Sequence, residues 1–110
     1  MKWYKELFIG ESLSLNAKQV IKKIKKRHLT PGVYIVAFAS NSMNLLDIIP
    51  TTELLQKGYP KEELYIIGLA FGMKEAKELV RQIVDETYQS TGGIAVKDYL
   101  LSKWREEAWT

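Results

Sequence analysis

The sequence predicts an α/β domain in which helices pack a small, mainly parallel sheet as a two- or three-layer sandwich. Two apolar runs, residues 33–39 and 64–70, have the length and the β-branched and aromatic content typical of strands buried on both faces. Two longer segments, near residues 16–28 and 73–89, repeat apolar side chains at helical spacing. Strands and helices that alternate along one chain favour the α/β class.

The composition is that of one folded domain. The chain has 110 residues, of which 46% are hydrophobic and 11% aromatic. It contains no cysteine, which excludes a disulfide framework and a thiol nucleophile and suits a reducing cytoplasm. Charges interrupt the first residues, and no apolar run approaches the roughly 20 residues that a membrane span needs. We therefore expect neither a signal peptide nor a membrane span.

The first half of the chain is predicted to contain a strand, a helix and a turn. Residues 7–9 form a short apolar run that predicts a strand. A helix should begin after Asn16, with Asn16 as the N-cap and Gln19 at the position of a capping box. It should end near His28, because residues 30–32 read Thr-Pro-Gly and turn the chain.

The connection between the two central strands decides how they pair. Residues 40–44 predict a polar loop, residues 45–49 a short strand or a helical turn, and residues 53–57 a short helix. This connection is long enough for a right-handed crossover between parallel strands. After it, apolar periodicity predicts a helix over residues 73–89 and a last helix from Val96 to about Glu106.

A ferredoxin-like α+β arrangement is the alternative. In that fold, residues 7–9 and 93–96 would form the outer strands, and the central pair would be antiparallel. The length of the connection after residue 39 argues against it.

A ligand site is predicted at the carboxyl ends of the central strands, where open α/β sheets bind their ligands. Polar side chains follow the first strand, and a glycine and a lysine follow the second. The free N–H groups of the next helix could hold a small anion there. The predicted site consists of Ser40, Asn41, Ser42, Asn44, Asp47, Gly72 and Lys74.

The basic residues are concentrated in the first helix. A patch of six exposed cations is predicted there: Lys18, Lys22, Lys23, Lys25, Lys26 and Arg27. The chain carries a net charge of +3, and this one segment supplies all of the positive excess. Such a patch is either a solvated helix face or a surface that binds nucleic-acid phosphates.

No catalytic motif, metal site or cofactor site is predicted. His28 is the one histidine and lies in the basic segment, and the strand-end serines lack a nucleophile-elbow motif. The leading hypothesis is a non-enzymatic module that binds a small ligand or a protein partner. The alternatives are a nucleic-acid-binding protein that uses residues 18–27 and a small enzyme with a site at Asn41, Asp47 and Lys74.

Several segments together resemble a family of small, uncharacterised bacterial proteins. They are Leu7-Phe8-Ile9-Gly10-Glu11, the lysine-rich helix, residues 33–41, Asn44-Leu45-Leu46-Asp47-Ile48, residues 64–70 and Thr91-Gly92-Gly93. The resemblance covers nearly the whole chain and implies a cytoplasmic bacterial protein, with no activity or site residue assigned. A homodimer is a further hypothesis, because Trp109 has no predicted place in the core and aromatic residues are enriched in interfaces.

Overall fold

The computed structural model describes residues 1–39, 45–60, 62 and 64–103 of the chain. Within these ranges the protein has an α+β fold with a four-stranded mixed sheet and three helices. The elements are β1 Lys2–Ile9, α1 Ala17–Lys25, β2 Val33–Phe38, β3 Leu46–Pro50, β4 Tyr65–Phe71, α2 Met73–Thr91 and α3 Val96–Lys103. Two 3-10 turns, Glu11–Leu13 and Thr51–Leu55, follow β1 and β3.

The strands lie in the order β1-β4-β2-β3, and the prediction of a mainly parallel sheet is wrong. Residues 45–49, for which the sequence predicts a short strand or a helical turn, contribute to strand β3, which returns antiparallel beside β2. The chain after β2 therefore makes a local antiparallel return instead of a crossover. β4 then pairs antiparallel with the other side of β2, and parallel pairing is confined to β1 and β4 among the described strands.

Helices cover both faces of the sheet, so the fold has three layers. One face packs against α1 and the two 3-10 turns; its buried residues are Trp3, Leu13, Val20, Ile24, Val33, Ile35, Ala37, Ile49, Leu54, Ile66 and Leu69. The other packs against α2 and α3; its buried residues are Tyr4, Val36, Phe38, Leu46, Ile67, Ala70, Ala76, Leu79, Ile83, Val96 and Leu100. Alternation along β2, with Ile35 facing α1 and Val36 facing α2, explains its continuous apolar run.

A β-bulge in β4 brings α2 close to the sheet. Val36 pairs with Gly68 and Ala37 with Ile66, so Ile67 is the extra residue between them. Ile67 and Gly68 consequently both face α2. A Cβ at position 68 would lie 2.9 Å from Cδ2 of Leu79, so glycine allows the helix to pack this closely.

The ferredoxin-like alternative matches the antiparallel central pair but not the edges of the sheet. Strands β1 and β3 form the two edges of the sheet, and Val96 begins α3 instead of ending an outer strand. The capping box predicted at the start of α1 is also wrong: Asn16 is the N-cap residue, but its side chain makes no capping hydrogen bond.

Candidate functional site at the carboxyl edge of the parallel strands

One candidate site lies where β1 and β4 end. Because the two strands run parallel, their carboxyl ends, Ile9 and Phe71, meet at the same edge of the sheet. Helix α2 begins directly after Gly72 and forms one wall of a cleft of about 600 Å³. The cleft is lined by Ile9, Gly10, Glu11, Phe71, Lys74, Glu75, Glu78, Leu79 and Gln82.

The carboxylate of Glu75 joins the two strand ends. Its Oε1 accepts a 2.9 Å hydrogen bond from the backbone N–H of Phe71. Its Oε2 accepts a 2.6 Å bond from the Ser12 hydroxyl and a 3.2 Å bond from the Ser12 backbone N–H. One side chain in the first turn of α2 thus fixes the segment after β1 against the β4–α2 corner.

The local sequence accounts for this position of Glu75. Gly72 is the N-cap of α2 and has no side chain that could cap the helix. Glu75, the third residue of the helix, instead accepts a hydrogen bond from the backbone N–H of Phe71. The glutamate of a capping box reaches back in much the same way. Gly72 has φ of +84° and ψ of 154°, a conformation open essentially only to glycine. Gly10 lies against the carboxylate, and a Cβ there would overlap it.

Glu75 is held in its charged form. Burial raises the pKa of this carboxyl, but the hydrogen bonds from the Phe71 N–H, the Ser12 hydroxyl and the Ser12 N–H outweigh burial. The net result is a pKa below the ordinary value of 4.5. Glu75 is therefore a carboxylate at neutral pH.

Negative charge dominates the lining of the cleft. Three carboxylates, those of Glu11, Glu75 and Glu78, face one ammonium group, that of Lys74. Glu78 Oε2 lies 3.1 Å from Nη2 of Arg81, but both side chains are more than 60% exposed, so water screens this pair strongly. Ile9, Phe71 and Leu79 add apolar surface, and Phe71 is 51% exposed.

The structure places part of the predicted strand-end site in this cleft. Lys74 lines it, and Gly72 lies at its edge, between Phe71 and α2. Four predicted members, Ser40, Asn41, Ser42 and Asn44, lie outside the described residues.

Asp47 lies at the opposite edge of the sheet from Lys74. It pairs with Ala37 near the end of β2, whereas Phe71, three residues before Lys74, pairs with Val33 at the start of β2. The expectation that Asp47 and Lys74 share one edge depended on parallel central strands. The antiparallel pairing places Asp47 and Lys74 at opposite ends of β2. These two residues therefore do not share the enzyme site that was expected at Asn41, Asp47 and Lys74.

The sequence interpretation missed most of the cleft. Gly10, Glu11, Glu75 and Glu78 were not singled out, because the strand over residues 7–9 had no assigned partner. A parallel pairing of that strand with residues 64–70 would have placed Gly10 and Gly72 at the same end of the sheet. The useful signal was a glycine directly after each strand.

The basic segment lies on the other face of the sheet. All six predicted patch residues are exposed, while Val20 and Ile24 of the same helix are buried against the sheet. The side chain of His28 is exposed as well. The cleft and the lysines of α1 are therefore separate surfaces.

Comparisons with known proteins add no relative. No family model, no curated protein and no solved structure matches this chain. The resemblance to a family of small bacterial proteins therefore stays a prediction. In the described parts of the chain, no helix has the length and apolar character needed to cross a membrane.

Proposed function

We propose that this protein is a non-enzymatic binding module of the bacterial cytoplasm, and that its cleft holds a small ligand through a positively charged group. The ligand class is an amine or a guanidinium compound with a short apolar portion. A chain without cysteine suits the reducing conditions of that compartment.

The observation that carries this proposal is the sign of the charge around the cleft. Three carboxylates and one ammonium group surround apolar surface from Ile9, Phe71 and Leu79. A cation gains Coulomb energy from the carboxylates, and the exposed ring of Phe71 can attract it further. The small anion expected from the sequence would meet repulsion here, although Lys74 and the start of α2 lie nearby.

The state of Glu75 supports binding over catalysis. A general base works best with a pKa near the pH at which it operates. The pKa of Glu75 is instead lowered, away from neutral pH, because three hydrogen-bond donors bind the charged carboxylate. Glu75 is thus suited to holding the cleft together.

A thermal-shift screen tests the proposal. The cationic probes are agmatine and putrescine, and the anionic probes are inorganic phosphate and AMP. A ligand at 100 times its dissociation constant stabilises a protein by about 2.7 kcal/mol. In a domain of this size the melting temperature then rises by roughly ten degrees. We expect this rise with a cation and none with the anions, whereas a rise with phosphate alone would contradict the proposal.

Paired variants locate the binding site. Glu11→Gln/Glu78→Gln removes two charges from the lining of the cleft. Asp85→Asn/Asp98→Asn removes two exposed charges that do not line it and is the matched control. We expect the first variant to lose the cation-induced shift and the second to keep it. Equal loss in both would attribute the shift to net charge instead of the cleft.

A further inference from the structure

We propose that α1 carries a second, independent site, a ridge of lysines that binds the phosphate backbone of double-stranded nucleic acid without reading its sequence. The lysine ridge consists of Lys18, Lys22 and Lys26. This site goes beyond the cleft and uses the opposite face of the sheet.

The geometry of the helix aligns these side chains. At about 100° per residue, the ridge falls within an arc of about 80°. Val20 and Ile24 face the sheet from the other side of the helix, where both are buried. The ridge spans about 12 Å of helix axis. A duplex presents roughly seven phosphates over that length, so each lysine can meet one.

Like-charge repulsion along the ridge opposes the stability of the helix. Lys18 and Lys22, and Lys22 and Lys26, are like charges at i, i+4, which destabilises a helix by about 0.2–0.5 kcal/mol per pair. Lys18 lies in the first turn, where the helix dipole disfavours a cation, and no acidic residue occupies that turn. Lys22 lies in the last turn, where the helix dipole favours a cation, so the unfavourable part of the pattern is the repulsion along the ridge and the position of Lys18. The negative charge of a partner would relieve both.

Among the residues that the structure describes, no basic side chain of α1 takes part in an ion pair, so none of those residues supplies that negative charge. Lys25 lies beside the ridge, and its Nζ is 5.5 Å from the ring centroid of Trp3. The ridge lysines are therefore exposed and available.

The observations favour a duplex backbone over other anionic partners. Single-stranded nucleic acid is usually bound by aromatic side chains that stack on bases, and the ridge has none. A membrane-surface helix inserts its apolar face, but the apolar face of α1 is buried in the core. Leu15 and Leu29 are 98% and 59% exposed and lie just outside the two ends of the helix, which makes an anionic membrane the competing partner to test.

Fluorescence anisotropy with a labelled 20-base-pair duplex of arbitrary sequence tests the proposal. Three phosphate contacts predict a log–log dependence of affinity on salt with a slope of about −2.7, and six predict about −5.4. Between 50 and 200 mM salt, affinity should fall by at least roughly 40-fold. A second duplex of different sequence should bind within about three-fold of the first.

Two triple variants with the same net charge distinguish binding by the ridge lysines from an effect of the protein's net charge on affinity. Lys18→Gln/Lys22→Gln/Lys26→Gln should lose at least 100-fold in affinity at 50 mM salt. The control Lys5→Gln/Lys57→Gln/Lys77→Gln removes three exposed lysines elsewhere and should stay within about three-fold of wild type. Equal losses in both variants, or an affinity independent of salt, would overturn the proposal.

A vesicle sedimentation assay distinguishes binding to a duplex from binding to a membrane. Wild-type protein is sedimented with vesicles of phosphatidylcholine containing phosphatidylserine. Binding to these vesicles but not to the duplex would overturn the proposal. Leu15→Ser/Leu29→Ser should leave duplex affinity unchanged. Because none of these variants alters the cleft, a failure of the ridge leaves the cleft proposal standing, and the reverse also holds.

Discussion

The hydroxyl of Ser12 donates a 2.6 Å hydrogen bond to Oε2 of Glu75, a residue 63 positions later in the chain. This contact ties the segment after β1 to the first turn of α2 at the point where the two parallel strands end. The same carboxylate accepts bonds from two backbone N–H groups, so its removal leaves donors on both sides of the cleft unpaired.

A double-mutant cycle measures how far Ser12 and Glu75 act together. Hydrogen bonds to charged groups contribute about 1.5–3 kcal/mol, and partial exposure reduces this, so we expect Glu75→Gln to lower the free energy of unfolding by about 1–2 kcal/mol. Ser12→Ala should lower it by about 1 kcal/mol. The double variant should lose at least about 0.5 kcal/mol less than the sum, measured by urea unfolding. Strict additivity would show that the two residues do not interact.

The stabilisation by Glu75 should depend on pH in a defined direction. Its folded pKa lies below the ordinary value of 4.5, so the carboxylate stabilises the fold at pH values above 4.5. The contribution disappears as pH falls through the lower, folded pKa. Urea unfolding of wild type and Glu75→Gln should be measured from pH 7 to pH 3. The difference in their free energies of unfolding should stay constant at pH values well above 4.5 and should shrink below that pH. A difference that grows in acid would contradict the geometry of this carboxylate.

Gly10→Ala should act through Glu75 and not through the backbone. Gly10 has φ of −63° and ψ of 148°, which any residue adopts, but a Cβ would displace the Glu75 carboxylate. We expect a loss of stability in the wild-type background and a much smaller one in Glu75→Ala, measured by thermal unfolding.

Gly72→Ala is the matched contrast to that variant. No atom lies within 4 Å of the position that its Cβ would occupy, so the expected loss of about 1–3 kcal/mol comes from the positive φ alone. It should persist when Glu75 is alanine. Loss of the effect in that background would mean that the helix start had rearranged.

A buried threonine pair stabilises the layer opposite α2. The hydroxyls of Thr30 and Thr51 are 2.7 Å apart, and the Thr51 hydroxyl also donates to the Thr30 carbonyl. Thr51→Val should lower the free energy of unfolding by about 1–3 kcal/mol, because it leaves buried groups unpaired. Thr30→Val/Thr51→Val should lose less than the sum of the single variants, since it removes both hydroxyls, and chemical denaturation measures the difference. A double variant that loses more than that sum would rule out the pairing.

The sequence carried enough information for the individual elements but not for their pairing. Helix α2 follows from a stripe of apolar residues repeated over about three turns, and β2 and β4 follow from apolar runs too short for helices. The direction of β4 depended on whether Leu46–Pro50 is a strand. A five-residue stretch that contains an aspartate and ends in proline does not decide this. Strand β3 returns antiparallel beside β2, and β4 runs in the same direction as β3 on the other side of β2. The central pair is therefore antiparallel, and Asp47 and Lys74 fall at opposite ends of β2.

The cleft was harder to predict, because its central contact joins distant segments. In the sequence Glu75 resembles an ordinary charge on the solvated side of an amphipathic helix, and Ser12 lies in a segment where polar residues alternate with leucines. Local periodicity carries no information about a hydrogen bond between them. The pairing of β1 with β4 had to be known first.

The most direct test of the cleft is an NMR titration of ¹⁵N-labelled protein with agmatine. We predict that the largest backbone amide shifts fall on Gly10, Glu11, Gly72 and Lys74, and that they saturate at one ligand per protein. The amides of α1 should move little. Largest shifts on α1, or no saturable shift at the carboxyl edge of β1 and β4, would contradict the assignment of this cleft as a cation-binding site.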